Sequence, residues 1–374
     1  MTASYNKACF CALTRRKYCK RNVQIVKKTP LFFLIIALTF RVSLLLAQQP
    51  DQGAYGFVNS TNAARVAALG GSLVPIDDGD IQLGLYNPAL ISAETSGKLA
   101  LSYVDYFADI NFAGLQYARS FEKTGNFLAS LQYHHYGSFE YADEGGLTEG
   151  DFTAADYAFT LGWGRQLDSN FSIGANAKFL GRQYETYNAF AMAVDVGANY
   201  KTKSGWLLSL TARNIGTELS SFFEDADAGL PFTMQFGVSK RLDHVPFRFM
   251  VVYDNLQKWD LTYDDPIDLD GNIDPITGEL QEKDGLANFG DQLLRHIIIG
   301  GEFYIGKGLV LRGSYNYKRR QEMKIPDKLG MVGFAWGLGI RISKFQINYS
   351  RSTYHAVGSP NYISIVTRLS DFVN

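Results

Sequence analysis

The chain has 374 residues, 14% of them aromatic and 20% charged, with 36 bases against 37 acids. That balance hides a division: residues 1–47 hold nine bases and no acid, so the remainder carries 27 bases against 37 acids, a net charge of −10. Cys9, Cys11 and Cys19 all fall in the basic part, so the rest excludes disulfide scaffolds, thiol catalysis and cysteine metal sites, and its acidity argues against a nucleic-acid partner.

Residues 1–47 run from a basic stretch into "PLFFLIIALTFRVSLLLA" and then the polar "QQPDQ". That order, basic then apolar then a small residue at Ala47, is the order of a secretory signal peptide. Arg41 interrupts the apolar run, which is close to membrane-spanning length, so a membrane anchor stands as the alternative. With no cysteine at the expected cleavage point, a lipoprotein is not expected.

Residues 48–97 form a separate segment ahead of the first strand. Helical spacing appears briefly in "NAARVAALGG", where Ala64, Ala67 and Ala68 surround Val66 and Leu69 and the pair Gly70 and Gly71 reads as a helix stop. In "GLYNPALIS", Asn87 should be extended before Pro88 and cap a short helical turn. Asp77, Asp78 and Asp80 read as a solvated acidic loop, with calcium as the alternative. The apolar set Leu69, Leu73, Val74, Ile81, Leu83 and Leu85 needs cover. The segment is therefore expected to plug the periplasmic mouth of whatever follows it.

From residue 98 the hydrophobic period is two. In "DYAFTLGWGR", Tyr157, Phe159, Leu161 and Trp163 oppose Asp156, Ala158, Thr160, Gly162 and Gly164. "AFAMAVDVGANY" and "MVGFAWGLGIR" repeat the pattern, a large apolar face against a small or weakly polar one. Charges keep to the small face: Lys178, Arg182, Asp195, Arg213, Glu302 and Arg312. A charge on the lipid side at mid-bilayer would cost about 2–4 kcal/mol, which explains the segregation. These are the marks of an all-β protein, a transmembrane antiparallel β-barrel. Strands are expected near 98–107, 111–121, 126–136, 155–165, 170–183, 188–201, 205–215, 231–241, 246–254, 295–304, 308–318, 331–342, 344–352 and 360–369. They number about 14, an even count that returns both barrel ends to one side, so residues 98–374 form the barrel domain. Tight turns such as "EKTG" and "KTKSG" alternate with longer segments, 137–154, 216–230, 255–294, 319–330 and 353–359, which belong on the outer side.

Local chemistry is sparse. His134 and His135 are adjacent and must point to opposite faces of a strand, so they cannot share a metal. In "DLDGNID", Asp268, Asp270, Asn272 and Asp274 alternate as in calcium loops, but the glycine stands at the fourth position and no terminal Glu is clearly placed, so a solvated turn competes. No cofactor motif, nucleophile elbow or phosphate loop appears, and no enzyme is expected. Trp259, Leu261 and Tyr263 open the longest outer segment and are candidate anchors for a partner protein, with the aromatic belt as the competing role for Trp259.

The plug region, "ALGG", an acidic loop and "NPAL", resembles the N-terminal region of the fatty-acid-transporter-like barrels. The longer stretches "YGFVNSTNAARVAALGG", "DGDIQLGLYNPAL", "YVDYFADINFAGLQYARSF", "GDFTAADYAFTLGWGRQLD" and "PFRFMVVYDNLQKWDLTYDDP" resemble the PorQ family of the type IX secretion system of Bacteroidetes, along essentially the whole chain after residue 47. That resemblance implies a non-enzymatic outer-membrane barrel that holds the surface protein PorZ, in one complex with PorU and PorV, and assists attachment of cargo to the cell surface. It supplies no catalytic residue. Two functions remain: a docking barrel of this kind, or a fatty-acid-transporter-like barrel passing a hydrophobic solute.

Overall fold

Fourteen antiparallel strands, each hydrogen-bonded to its neighbours in sequence, close into a barrel where β1 meets β14. The computed structural model describes residues 55–142, 145, 147–222, 229–262, 285–324, 330–354 and 358–372. The strands are β1 Lys98–Asp105, β2 Asn111–Phe121, β3 Gly125–Ala142, β4 Thr148–Gln166, β5 Phe171–Tyr184, β6 Tyr187–Lys201, β7 Trp206–Ser220, β8 Thr233–Arg241, β9 Phe247–Tyr253, β10 Ile297–Ile305, β11 Leu309–Asn316, β12 Phe334–Ile342, β13 Phe345–Ser352 and β14 Asn361–Arg368. Closure matters because an open edge in hydrocarbon would leave backbone groups without partners. None of the described helices is long and apolar enough to cross a membrane; the strands make the crossing.

The parity argued from sequence holds. Leu131, Phe159, Leu161, Val194 and Val196 point outward and are exposed, while Lys178, Arg182, Asp195, Arg213, Glu302 and Arg312 are buried inside. Rings of aromatic side chains mark two levels of the outer surface. One passes through Tyr103, Tyr133 and Tyr157, which lie on paired strands, and the other through Phe127, Trp163, Trp206 and Phe249. His134 is buried in the lumen and stacks on Phe112, whereas His135 lies beside the outward Tyr133.

The strand lengths divide the barrel. β2 to β7 have 11 to 19 residues, and β8 to β14 together with β1 have 7 to 9. Most of 137–154, expected as an outer loop, is strand: β3 continues to Ala142 and β4 begins at Thr148, past a bulge between His135 and Ser138. The period-two signal fades there because both faces meet water and both carry polar residues. Conversely, β11 stops at Asn316, whose side chain caps a helix (Tyr317–Met323) by accepting from the Arg319 amide at 3.0 Å. Strand β12 starts only at Phe334, after Gly333 at φ 88°, so Val332 is buried instead of facing lipid.

The tight turns, the start of β1 and the end of β14 share one end of the barrel, the periplasmic one by the usual rule for such barrels. A protease-cleavable tag inserted between residues 143 and 147 should be cut on intact cells, and one inserted in the turn 202–205 should resist until the outer membrane is opened. The reverse pattern would invert the orientation.

Candidate functional site

Residues 55–97 occupy the lumen. They begin at the loop end, where the Tyr55 hydroxyl donates to Glu218 at 2.9 Å, and descend to the turn end, where the Lys98 ammonium meets the carbonyl of Gly79. The expected cover of the mouth alone is thus too small a role; the segment fills the barrel's interior from one half to the other. Its only α-helix, α1 (Ala64–Ala68), is a single turn of small residues, and four 3₁₀ turns make up much of the rest. Small residues let the backbone approach the wall. Gly70, at φ 107°, ends α1 in a conformation that suits glycine, and a Cβ there would overlap Ile298. On the wall, a Cβ at Gly174 would overlap the backbone of Pro88. The small inner face of the strands is therefore the imprint of the plug. Asn87 behaves as its sequence requires: extended at φ −145°, it accepts from the Ala89 amide at 3.1 Å, while its own amide donates to Asn199 at 2.7 Å.

The strongest tie between plug and wall is ionic. Arg65 of α1 is 3% exposed and reaches three carboxylates: Glu302 at 2.9 Å, Asp78 at 2.7 Å and Asp80 at 3.0 Å. Arg248 bridges Asp78 and Glu302, both at 3.0 Å, and Arg312 lies 2.8 Å from Glu302. Tyr304 donates to Glu302 at 2.7 Å. Three guanidiniums thus face three carboxylates, and the cluster is neutral. This qualifies the reading of the acidic loop. Asp77 and Asp78 are exposed, as a solvated loop has them, but Asp78 and the buried Asp80 also pair with Arg65, and among the described residues no group of acids, histidines or cysteines could hold a metal. Arg65 itself went unnoticed in the sequence, where the signal was a lone charge in an otherwise buried small-residue helix.

The opposite wall holds the plug less completely. Gln116, Ser130 and Thr160 are register neighbours on β2, β3 and β4. Together with Gln82 of the plug they are buried and carry side-chain polar atoms without hydrogen-bond partners among the described residues. At the loop end a cleft of about 290 Å³ is lined by Tyr106, Phe107, Glu322, Met323, Lys324 and Tyr354.

The candidate partner residues fare differently. Trp259 is 47% exposed and packs on Phe289 with ring centroids 5.3 Å apart. Leu261 is 3% exposed, and its amide donates to Gln292 at 3.1 Å, so it supports the loop from within. Tyr263 lies outside the described residues, as do Asp268, Asp270, Asn272 and Asp274.

No protein-family model matches the chain, and no curated protein sequence matches it. Among solved structures, the toluene transporter TodX of Pseudomonas putida is similar over 83% of this chain and 98% of its own, at 13% identity and a TM-score of 0.50. The toluene transporter TbuX of Ralstonia pickettii is similar over 83% and 99%, at 10% identity and a TM-score of 0.50. At such identities the likeness establishes the fold alone, a closed antiparallel barrel of 14 strands. Both neighbours are named as toluene transporters. Nothing in these comparisons concerns type IX secretion.

Replacing Arg65 with Met strips the buried carboxylates of Asp80 and Glu302 of their central partner, a change that costs roughly 3–5 kcal/mol at buried pairs. The barrel should still migrate as a folded, heat-modifiable species, while solute leakage through it rises. The pH dependence has a defined sign. Burial alone would raise the Asp78 carboxyl, but Arg65 and Arg248 override it and hold the group well below its ordinary 3.8. Its contribution to plug docking is therefore complete above the unfolded value and is lost only as pH falls through the lower folded one. Leakage of the unaltered protein should stay flat from about pH 8 to about pH 5 and rise only below about pH 4.

Proposed function

We propose that the chain acts through its outer face, as a sealed outer-membrane barrel that anchors a surface protein. The observation that carries this reading is the β3–β4 hairpin. Its strands have 18 and 19 residues, whereas a crossing takes about 9–11, so roughly eight residues of each, about 25 Å of strand, stand beyond the bilayer. Phe139, Tyr141 and Leu147 are exposed on this projection, and Phe139 stacks on Phe152 at 5.3 Å. Exposed aromatic residues on a rigid hairpin outside the lipid are what a protein interface uses. The ion pairs that tie the plug to the wall support the same reading, since they hold residues 55–97 in the lumen.

In its finer form the proposal follows the sequence resemblance: a barrel of the PorQ kind in a Bacteroidetes outer membrane, holding PorZ beside PorU and PorV. The β3–β4 hairpin would contribute the contact, together with the segment 255–294 that Trp259 and Leu261 brace at its base and in which Tyr263 lies.

A second reading has its own support. The solved neighbours are named as toluene transporters. The rim cleft beside Tyr106, Phe107 and Met323 is close to the lower size of small-ligand pockets, about 300 Å³. The incompletely bonded contact of Gln82 with the wall of β2 to β4 is where a plug would part most cheaply. In this reading a small apolar solute enters at the cleft.

Excising residues 138–152 and closing β3 to β4 with an Asn-Gly turn separates the two. Under the anchoring proposal the shortened barrel stays heat-modifiable, and PorZ is shed from cells into the medium. Retention of PorZ, coupled with loss of toluene uptake when Phe107 and Met323 are changed to Asp, would overturn anchoring in favour of transport.

A further inference from the structure

The outer segment before β10 ends in a helix, α2 (Gly285–Arg295), whose polarity is inverted relative to an ordinary surface helix. Two of its polar residues, Asp291 and Gln292, face the protein, while Asn288 is exposed. Gln292 is 4% exposed, donates to Asp260 at 2.6 Å and accepts from the Leu261 amide. Asp291 accepts from the Tyr317 hydroxyl at 2.7 Å and pairs with Arg295 at 2.7 Å. Its apolar residues face out: Leu286 is 80% exposed, Phe289 54% and Leu294 45%. A helix held by its polar side, with leucine and phenylalanine turned away, is stable only if something apolar meets that face.

The neighbouring strands say what that is. β9 has seven residues. At a tilt near 45° it rises about 16 Å, well short of the roughly 25 Å apolar band of such barrels. α2 leads directly into β10, the partner strand of β9. A run of rings joins the helix and β9: Tyr253, on the lipid-facing parity of β9, stacks on His296 with centroids 4.7 Å apart, His296 on Trp259 at 5.6 Å, and Trp259 on Phe289 at 5.3 Å. His296 fixes the turn between them, its ring nitrogens 2.7 Å from the Asp254 carbonyl and 3.0 Å from that of Trp259. Below, Val251 and Ile299 continue the same exposed apolar surface down the barrel.

We infer that α2 lies in the outer membrane interface and completes the barrel's lipid-facing band over the short strands β9 and β10, with Trp259, Phe289 and Leu294 immersed among acyl chains at headgroup depth. The polar anchoring of the helix, the short strands and the unbroken aromatic run all point to lipid as the occupant, in the manner of interfacial helices. A partner protein would demand a face set apart from the lipid belt; this face merges with it. The inference rests on membrane insertion of the barrel and on neither proposed function.

Spin labels test it. In the full chain with Cys9, Cys11 and Cys19 changed to Ser, single variants Phe289→Cys, Leu294→Cys, Ile299→Cys and Lys123→Cys are labelled, reconstituted into phosphatidylcholine bilayers and probed by power saturation. Oxygen collisions should exceed those of a water-soluble nickel chelate at 289 and 294 as they do at the belt position 299, with the reverse at the turn position 123. Values at 289 and 294 resembling those at 123, with 299 still lipid-like, would overturn the proposal and leave a protein partner for that face. Should a cysteine variant fail to fold, a chain retaining Trp259 alone (W163F, W206F and W336F) carries the same question: shallow-brominated lipids should cut its fluorescence at least twofold, and unchanged fluorescence would refute the placement.

Discussion

A guanidinium buried inside a membrane barrel sets the terms for the structure around it. Arg65 cannot shed its proton, so its charge must be met by carboxylates, of which Asp80 and Glu302 are themselves buried and Asp78 lies at the exposed edge. The chain supplies them from both partners, Asp78 and Asp80 from the plug and Glu302 from the wall, and adds Arg248 and Arg312 to restore neutrality. Plug and wall are thereby one electrostatic unit. The glycine-rich inner face, the single-turn helix and the short 3₁₀ turns are what allow the unit to close up. With the lumen given over to internal packing, the surfaces left for outside contacts are the rim and the projecting strands.

The two halves of the barrel use that rim differently. Over β3 to β7 the strands overshoot the membrane, and on β3 and β4 they expose aromatic residues to water; over β8 to β14 they fall short of its full height. One half is built to be touched from outside, the other to sit low against lipid. A uniform barrel would present the same height all round, and the inequality of strand length is what gives this one a front and a back.

Much of the architecture was legible in the sequence because lipid is an exacting solvent. It forces apolar side chains outward at every second residue, so strand count, parity and the inward charges at Lys178, Asp195 and Glu302 could all be read directly. Asn87 and Pro88 announced their turn because the local steric rule is strong. The lumen was less legible. Nothing in the periodicity says that Arg65 and Glu302, 237 positions apart, share a hydrogen bond. The overshoot of β3 and β4 was hidden for the complementary reason: beyond the bilayer neither face is constrained, and a strand wet on both sides has no alternating signature. Leu261 looked like a surface anchor because its sequence neighbours are polar, whereas it is buried and its amide is held by Gln292, from a helix more than thirty positions away.

The glycine lining of the wall carries an implication for biogenesis. The hydrogen bonds between β1 and β14 join the first and last strands, so the circle can close only when the chain is complete. A circle closed on an empty interior would confine Glu302 without its plug partner Arg65 and surround a void that the wall's glycines are too small to fill. The plug therefore belongs inside the nascent sheet before the seam zips, acting as the mandrel around which the remaining strands are wound. An intermediate held open at the seam would accordingly show Arg65 already shielded from solvent.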